Sequence, residues 1–373
     1  MQHVRSTARF PLMALGLLAL LTALWGGLVR LGWAWPVPLP TLIVAHGPLM
    51  VCGFLGTLIG VERAVALGAL WPYGAPLLSA AGVVALLAGL PAAPLMALGS
   101  LGLVAVSAVV VHRQCGLATV TMALGALLWV GGNGLWLVGW PLAQVVPWWS
   151  GFLVLTIAGE RLELSRVLRL SGLPHGLFVL AVSLWLAGLL LLLTVFTPGV
   201  RVTGVGMVAL AWWLLQYDVA RRTVRQTGFT RFMAVCVLSG SGWLGVGGAL
   251  TWHFAGSVAG PSYDAMLHAV FVGFVLAMLF GHGPLVFPAI LGRALTPYHP
   301  ALYGPLVLLH ASLLLRVLGD LLGWWPGRQG GGLLNALAVL LFLFILAGVL
   351  RRGRSSLGWR EAPSSLGVSQ PPV

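Results

Sequence analysis

Lysine is absent from this sequence, and charge of either sign is scarce. Of its 373 residues only 7% are charged and 59% are hydrophobic, whereas a soluble domain carries about 25% charged residues. Because so few charged side chains cannot cover the surface of a soluble domain, we expect the chain to lie in a lipid bilayer. Its basic residues, all arginines, form no run interleaved with exposed aromatic residues, which argues against nucleic acid as a partner.

Cysteine and nucleotide-binding motifs are also missing. The three cysteines are scattered along the chain, which excludes a disulfide framework and a thiolate metal motif. There is no phosphate-binding P-loop, no Rossmann glycine fingerprint and no zinc-protease helix motif. The absence of a C-x-x-C-H attachment motif means that any heme would be bound non-covalently.

What the sequence does contain is a series of apolar segments about as long as a membrane span. They predict an all-α, polytopic transmembrane helix bundle of about twelve spans, forming one domain over residues 1–354. A Ser-, Pro- and Gly-rich stretch, residues 355–373, is predicted to be a disordered cytoplasmic tail. The predicted spans are 10–29, 41–61, 75–91, 93–111, 117–139, 145–160, 176–196, 200–217, 232–253, 263–284, 300–322 and 332–350.

The distribution of arginine predicts the orientation. If the N-terminus is cytoplasmic, all but four of the twenty basic residues fall on the cytoplasmic side, as the positive-inside rule requires. The four exceptions are Arg30, Arg201, Arg316 and Arg328. We therefore expect a multi-pass protein of the inner (plasma) membrane with both termini in the cytoplasm.

Four histidines fall inside predicted spans, where an ionisable group is costly and is a functional candidate. His46 opens the second span and His268 lies at a similar depth in the tenth. His282 follows His268 by fourteen residues, which on a regular α-helix places both rings on nearly the same face. His310 lies at mid-depth in the eleventh span.

Matched depth suggests that His46 and His268 face each other and ligate one metal ion, the iron of a heme b, since heme takes one or two axial imidazoles in an apolar pocket. His282 and His310 would then form a second, deeper polar site. Arg316 could bind a heme propionate through its guanidinium fork or pair with Asp320 on the same helix face. The alternative is that all four histidines only hydrogen-bond to neighbouring helices.

Two similar Glu-Arg pairs end spans that run in the same direction. Glu62–Arg63 closes the second span and Glu160–Arg161 the sixth. Both pairs are expected at the same cytoplasmic level, either paired across helices or extending separately to the membrane surface.

Two stretches carry a family resemblance: "HGPLMVCGFLGTLIGVERAV" from His46, and "HAVFVGFVLAMLFGHGPLVFPAILG" from His268, followed by "YHPALYGPLVLLHASLLLRVLGD". A twelve-span bundle with histidines on spans two and ten resembles subunit I of the heme–copper oxidases, and more closely the NnrS family of heme- and copper-containing membrane proteins. The resemblance implies a low-spin heme held by His46 and His268, leaves copper open as a second metal, and implies a role in nitric oxide handling or respiration. The sixth and seventh spans contain no histidine, which argues against an oxygen-reducing heme–copper centre.

Three functions are consistent with these residues. The first is a heme-binding membrane protein in nitric oxide handling or respiratory redox chemistry, with a respiratory redox partner. The second is a transporter or channel in which buried histidines and arginines line the path. The third is an accessory subunit of a respiratory complex whose histidines are structural.

Overall fold

The structure is a computed structural model that describes residues 9–37, 39, 41–292 and 298–355. The described chain is α-helical and has no strand, which confirms the all-α polytopic bundle. Eleven described helices are long and apolar enough to cross a membrane, and one further apolar helix is shorter. The predicted tail, apart from Ser355, lies outside the described residues.

Twelve helices follow the predicted spans closely in the described part of the chain. Their bounds are α1 Arg9–Arg30, α2 Thr41–Leu67, α3 Trp71–Leu87, α4 Ala93–Arg113, α5 Leu117–Leu137, α6 Leu142–Leu168, α7 Leu173–Leu192, α8 Phe196–Tyr217, α9 Gly228–His253, α10 Gly260–Ile290, α11 Pro300–Leu321 and α12 Trp325–Ser355. Helix α3 is the short one, and a single turn, Ala220–Thr223, lies between α8 and α9.

Three helices form the centre of the bundle. The most apolar windows of α2, α6 and α10 are 67%, 72% and 67% buried, more than those of the other long helices described. Helix α10 packs against α2, α6, α9, α11 and α12, while successive helices pack against each other around it. One main hydrophobic core contains buried side chains from all twelve helices.

Two of the central helices contain a π-helical segment just after a histidine. In α2 the segment is Leu49–Leu55, three residues after His46. In α10 it is Ala269–Leu276, directly after His268. A π-turn closes from residue i to i+5 instead of i+4, and such segments are frequent at functional sites. In both helices a π-segment thus begins within three residues after a histidine, which makes His46 and His268 candidates for a functional site.

Glycine permits the close approach of α1 to α2. A β-carbon on Gly27 would lie 2.8 Å from Cε1 and Nδ1 of the His46 ring, a distance that side chains do not tolerate without movement. Small residues commonly allow such helix crossings in membranes. The ring of His46 therefore occupies the space beside Gly27 that a side chain on α1 would otherwise fill.

Candidate functional site

A cavity of about 330 Å³ lies between α1, α2, α6, α10, α11 and α12. Its walls are largely apolar and include Leu24, Val51, Trp149 and Phe271. Its polar lining consists of His46, His268, Tyr263, Asp264, Arg30, Arg316, Arg328 and Asn335. An apolar pocket of this size with a few convergent polar groups is the usual form of a small-ligand or cofactor site.

His46 and His268 meet in this cavity, as their matched depth predicts. Their ring centroids are 6.3 Å apart and the ring planes are inclined by 26°. Two iron–imidazole bonds of about 2 Å, each extended by half a ring, would place the centroids on the order of 6 Å apart. The separation is therefore compatible with one metal ion between the two rings.

Backbone carbonyls hold both rings through the same nitrogen. Nδ1 of His46 lies 2.7 Å from the carbonyl oxygen of Ala23 on α1. Nδ1 of His268 lies 2.9 Å from the carbonyl oxygen of Asp264, one turn earlier on α10. A carbonyl acceptor places the proton on Nδ1 and leaves the lone pair on Nε2, the arrangement in which most metal-bound histidines are found.

An acidic residue links His268 to the arginines of the cavity. The carboxylate of Asp264 accepts two hydrogen bonds from Arg316, Nε to Oδ2 at 2.8 Å and Nη2 to Oδ1 at 2.9 Å. Its Oδ1 also lies 3.3 Å from Nδ1 of His268. Arg328 lies further away, with Nη2 3.9 Å from Asp264 Oδ1. Arg316 thus fixes Asp264, which in turn supports the imidazole.

The predicted ion pair between Arg316 and Asp320 was wrong, because each residue has a different partner. Arg316 reaches across to α10 and binds Asp264, and Asp320 lies instead 2.8 Å from Nε of Arg328 on α12. Asp264 presents both carboxylate oxygens to the guanidinium fork of Arg316, and this bidentate geometry gives a strong pair. Arg30, at the exposed rim of the same cavity, has only a long contact of 3.4 Å with the carbonyl oxygen of Ile43.

These residues fit a heme. Two imidazoles with free Nε2 atoms face an apolar cavity at the required separation, and arginines at its edge offer charge for carboxylates. Within the described ranges no group of three or more His, Cys, Asp or Glu side chains is placed to hold a metal ion.

His282 and His310 do not form the second site that was predicted. Nε2 of His310 contacts Ser239 Oγ at 2.9 Å on α9, and Nδ1 of His282 contacts the Met278 carbonyl at 2.8 Å. The charged groups around His282 are instead Arg161, Glu62 and Asp218. A similar depth in the membrane does not by itself bring two side chains together, because each side chain also needs the right direction around its helix.

A cluster of ion pairs closes the opposite end of the bundle. Arg63 of α2 pairs with Glu160 of α6, which confirms that the two Glu-Arg pairs lie at one level and pair across helices. Arg161 points inward and donates to the buried carboxylate of Asp218, Nε to Oδ2 at 2.8 Å and Nη2 to Oδ1 at 2.6 Å. This second pair ties α6 to the end of α8.

Several residues of the cavity and of the ion-pair cluster were not predicted from the sequence. Asp264 lies four residues before His268 and is one of only seven acidic residues in the chain, so its spacing was a usable signal. Asp218, Asn335 and the role of Gly27 left no local signal, because each depends on a partner distant in sequence.

Comparison with known proteins gives one family match, which covers most of the chain. No curated protein matches it. The model of a family described as "Domain of unknown function (DUF8744)" matches residues 9–351, which include all the cavity residues named above. The chain therefore belongs to the DUF8744 family.

Proposed function

We propose that this protein is a heme b-binding membrane protein in which His46 of α2 and His268 of α10 are the axial ligands. The observation that carries the proposal is the pair of facing imidazoles, 6.3 Å between centroids, in a largely apolar cavity. The resemblance to the NnrS and heme–copper oxidase families points to the same two residues.

The surrounding residues would fix the ligands before the heme binds. The Ala23 and Asp264 carbonyls orient the rings, and a hydrogen-bond acceptor at Nδ1 raises the basicity of the ligating nitrogen. Arg316 holds the Asp264 carboxylate in place through two hydrogen bonds. Arg30, at the rim, has no acidic partner among the described residues and is available to a propionate, whereas Arg316 is already bound to Asp264.

The ligand set favours one of the two roles that the resemblance implies. A heme supplies reversible one-electron transfer when bound. If His46 and His268 both held the iron, a gas could bind only by displacing one of them. We therefore propose electron transfer to or from a respiratory partner in preference to binding of nitric oxide.

An absorbance spectrum of the purified full-length protein tests the proposal. The protein is produced in heme-replete cells and compared with the variants His46→Ala and His268→Ala. We expect a Soret band and split visible bands on reduction, lost in both variants, and a low-spin signal in electron paramagnetic resonance. His282→Ala is the matched control, because it removes a histidine from the same helix outside the cavity and should leave the spectrum unchanged.

Chemical rescue separates lost ligation from misfolding. Free imidazole should restore low-spin bands in His46→Ala, where truncation leaves space for it beside Gly27. A featureless wild-type spectrum would overturn the heme assignment, and the cavity would then be that of a transported or structural ligand. An unchanged spectrum in both alanine variants would exclude these two residues as ligands.

A further inference from the structure

Two neighbouring concave surfaces lie at the end of the bundle that carries the Arg63–Glu160 pair. The first, about 310 Å³, is formed by the start of α5, the end of α6 and the start of α7. The second, about 390 Å³, is formed by the α6–α7 connection and the segment that follows α8. Leu170 lines both, so the two cavities adjoin.

Arginine dominates the walls of both cavities. Arg166 and Arg169 line the first, and Arg221, Arg222 and Arg225 line the second. All five are exposed, so their guanidinium groups are accessible to a ligand.

The acidic residues in these walls are already neutralised. Glu163 pairs with Arg166 at 2.6 Å, and Arg161 holds Asp218 in a bidentate, buried pair. Within the described part of the chain, Arg169, Arg222 and Arg225 have no acidic partner. Arg221 hydrogen-bonds only to the neutral side chain and carbonyl of Gln216. The two cavities therefore carry an excess of four positive charges.

Arg169 is the residue that ends the 3-10 turn at the end of α6. Its φ of 49° lies in the left-handed region, and among the described residues it is the one non-glycine residue there. Helices commonly end in this conformation. The turn thus places Arg169, which lines the first cavity, directly before Leu170, which lines both.

Exposed apolar side chains that lie beside these arginines in the sequence favour a lipid as the ligand. Val167 is 75% exposed, Leu173 70% and Leu164 48%. Arginine forks bind phosphate oxygens in pairs, and basic pockets between transmembrane helices bind lipid head groups. A free phosphate would use the arginines but would make no contact with these apolar side chains.

We propose that the two cavities together bind one lipid with two phosphodiester groups, a diphosphatidylglycerol. Arg169 serves the phosphate at the first cavity, and Arg222 and Arg225 serve the phosphate at the second. Leu164, Val167 and Leu173 contact the acyl chains. The site is independent of the heme cavity at the other end of the bundle.

Native mass spectrometry of the purified full-length protein tests this site. The probe is tetraoleoyl diphosphatidylglycerol, compared with dioleoylphosphatidylglycerol at equal total phosphate and with inorganic pyrophosphate as competitor. We expect the two-phosphate lipid to bind at least about tenfold more tightly than the one-phosphate lipid. The triple variant Arg169→Gln, Arg222→Gln and Arg225→Gln should lose at least about tenfold of that affinity.

A second triple variant controls for net charge. Arg113→Gln, Arg231→Gln and Arg351→Gln remove three exposed arginines from the same end that line neither cavity, and should change the affinity by less than about twofold. Equal losses in both variants, or equal binding of both lipids, would overturn the proposal in favour of unspecific attraction. Displacement of the lipid by pyrophosphate would show a phosphate site instead. Circular dichroism checks that both variants are folded.

Discussion

At the residue scale, the position of the His46 ring depends on a missing side chain opposite it. A β-carbon at Gly27 would lie 2.8 Å from two ring atoms, so Gly27→Ala should push the ring away and weaken its contact with the Ala23 carbonyl. Overpacking of this kind costs about 1–3 kcal/mol. If the heme proposal holds, we expect a reduced Soret band per protein in the purified variant.

Gly16→Ala is the control for this substitution. It lies on the same helix, but its new β-carbon would meet Thr57 at 3.7 Å, an ordinary contact. Absorbance should therefore stay at the wild-type value. Equal absorbance in both variants would show that the His46 ring has another position available to it.

A second residue-scale prediction concerns the buried pair of Arg161 and Asp218. Their side chains are 2% and 0% exposed, and removing one partner leaves a charge without compensation in an apolar interior. Arg161→Met should lower the free energy of unfolding by about 3–5 kcal/mol. The measurement is the thermal unfolding transition in detergent, followed by circular dichroism.

The double variant tells lost charge compensation from lost packing. Asp218→Asn in the Arg161→Met background removes the orphaned charge and keeps an acceptor for the Ala220 amide, which donates to Oδ1 at 2.7 Å. It should recover most of the stability. Arg166→Met, which breaks the exposed pair with Glu163, should cost less than about 1 kcal/mol. A double variant as unstable as the single one would assign the loss to packing.

At the element scale, apolar length predicted the helices, whereas regular α-helical periodicity does not apply where α2 and α10 become π-helical. Apolar length located the twelve helices, because the energetic demand of the bilayer acts on each segment separately. The facing of His46 and His268 followed from depth alone. The spacing of His268 and His282 does not by itself fix their faces, since 100° per residue is invalid across Ala269–Leu276. Ion pairs across helices, such as Arg316 with Asp264, likewise depend on rotations that no single segment specifies.

The π-segment of α10 has a measurable consequence. Single spin labels placed at successive positions from 262 to 288, in a background lacking the three native cysteines, report exposure to lipid through relaxation by oxygen. We expect a period near 3.6 residues on both sides of the segment, with a phase change on the order of 100° between them. One uninterrupted phase over the whole helix would show that α10 is regular and that His282 shares the face of His268.

At the scale of the whole molecule, the two ends of the bundle have different chemistry. Arg30, Arg316 and Arg328 line the cavity at one end, and they are three of the four arginines that the orientation rule leaves outside the cytoplasm. The opposite end holds the Arg63–Glu160 pair and the two arginine-lined cavities. We therefore propose that the heme cavity opens toward the outer surface and the lipid site toward the cytoplasm.

This arrangement requires the shortest helix to cross. Helix α3 spans about 25 Å by its rise per residue, less than the roughly 30 Å of a typical hydrocarbon core. Arg63 near the end of α2 pairs with Glu160, and Gln114 after α4 lines one cavity with Glu163. Helices α2 and α4 thus end at the same side of the bundle, so α3 must return the chain to the other side.

Reporter fusions test this crossing. A fusion after Gly68 should report the cytoplasm, one after Gly89 the outer side, one after Leu170 the cytoplasm and one after Gly256 the outer side. Single cysteines at the same positions, labelled in intact cells by a reagent that cannot cross the membrane, give an independent readout because a fusion can itself disturb a marginal span. If positions 68 and 89 report the same side while 170 and 256 keep their assignments, α3 dips into the bilayer and returns, and the α2–α4 order must be redrawn. If 170 and 256 are exchanged, the whole bundle is inverted, and the excess of arginine lies on the outer side against the charge rule.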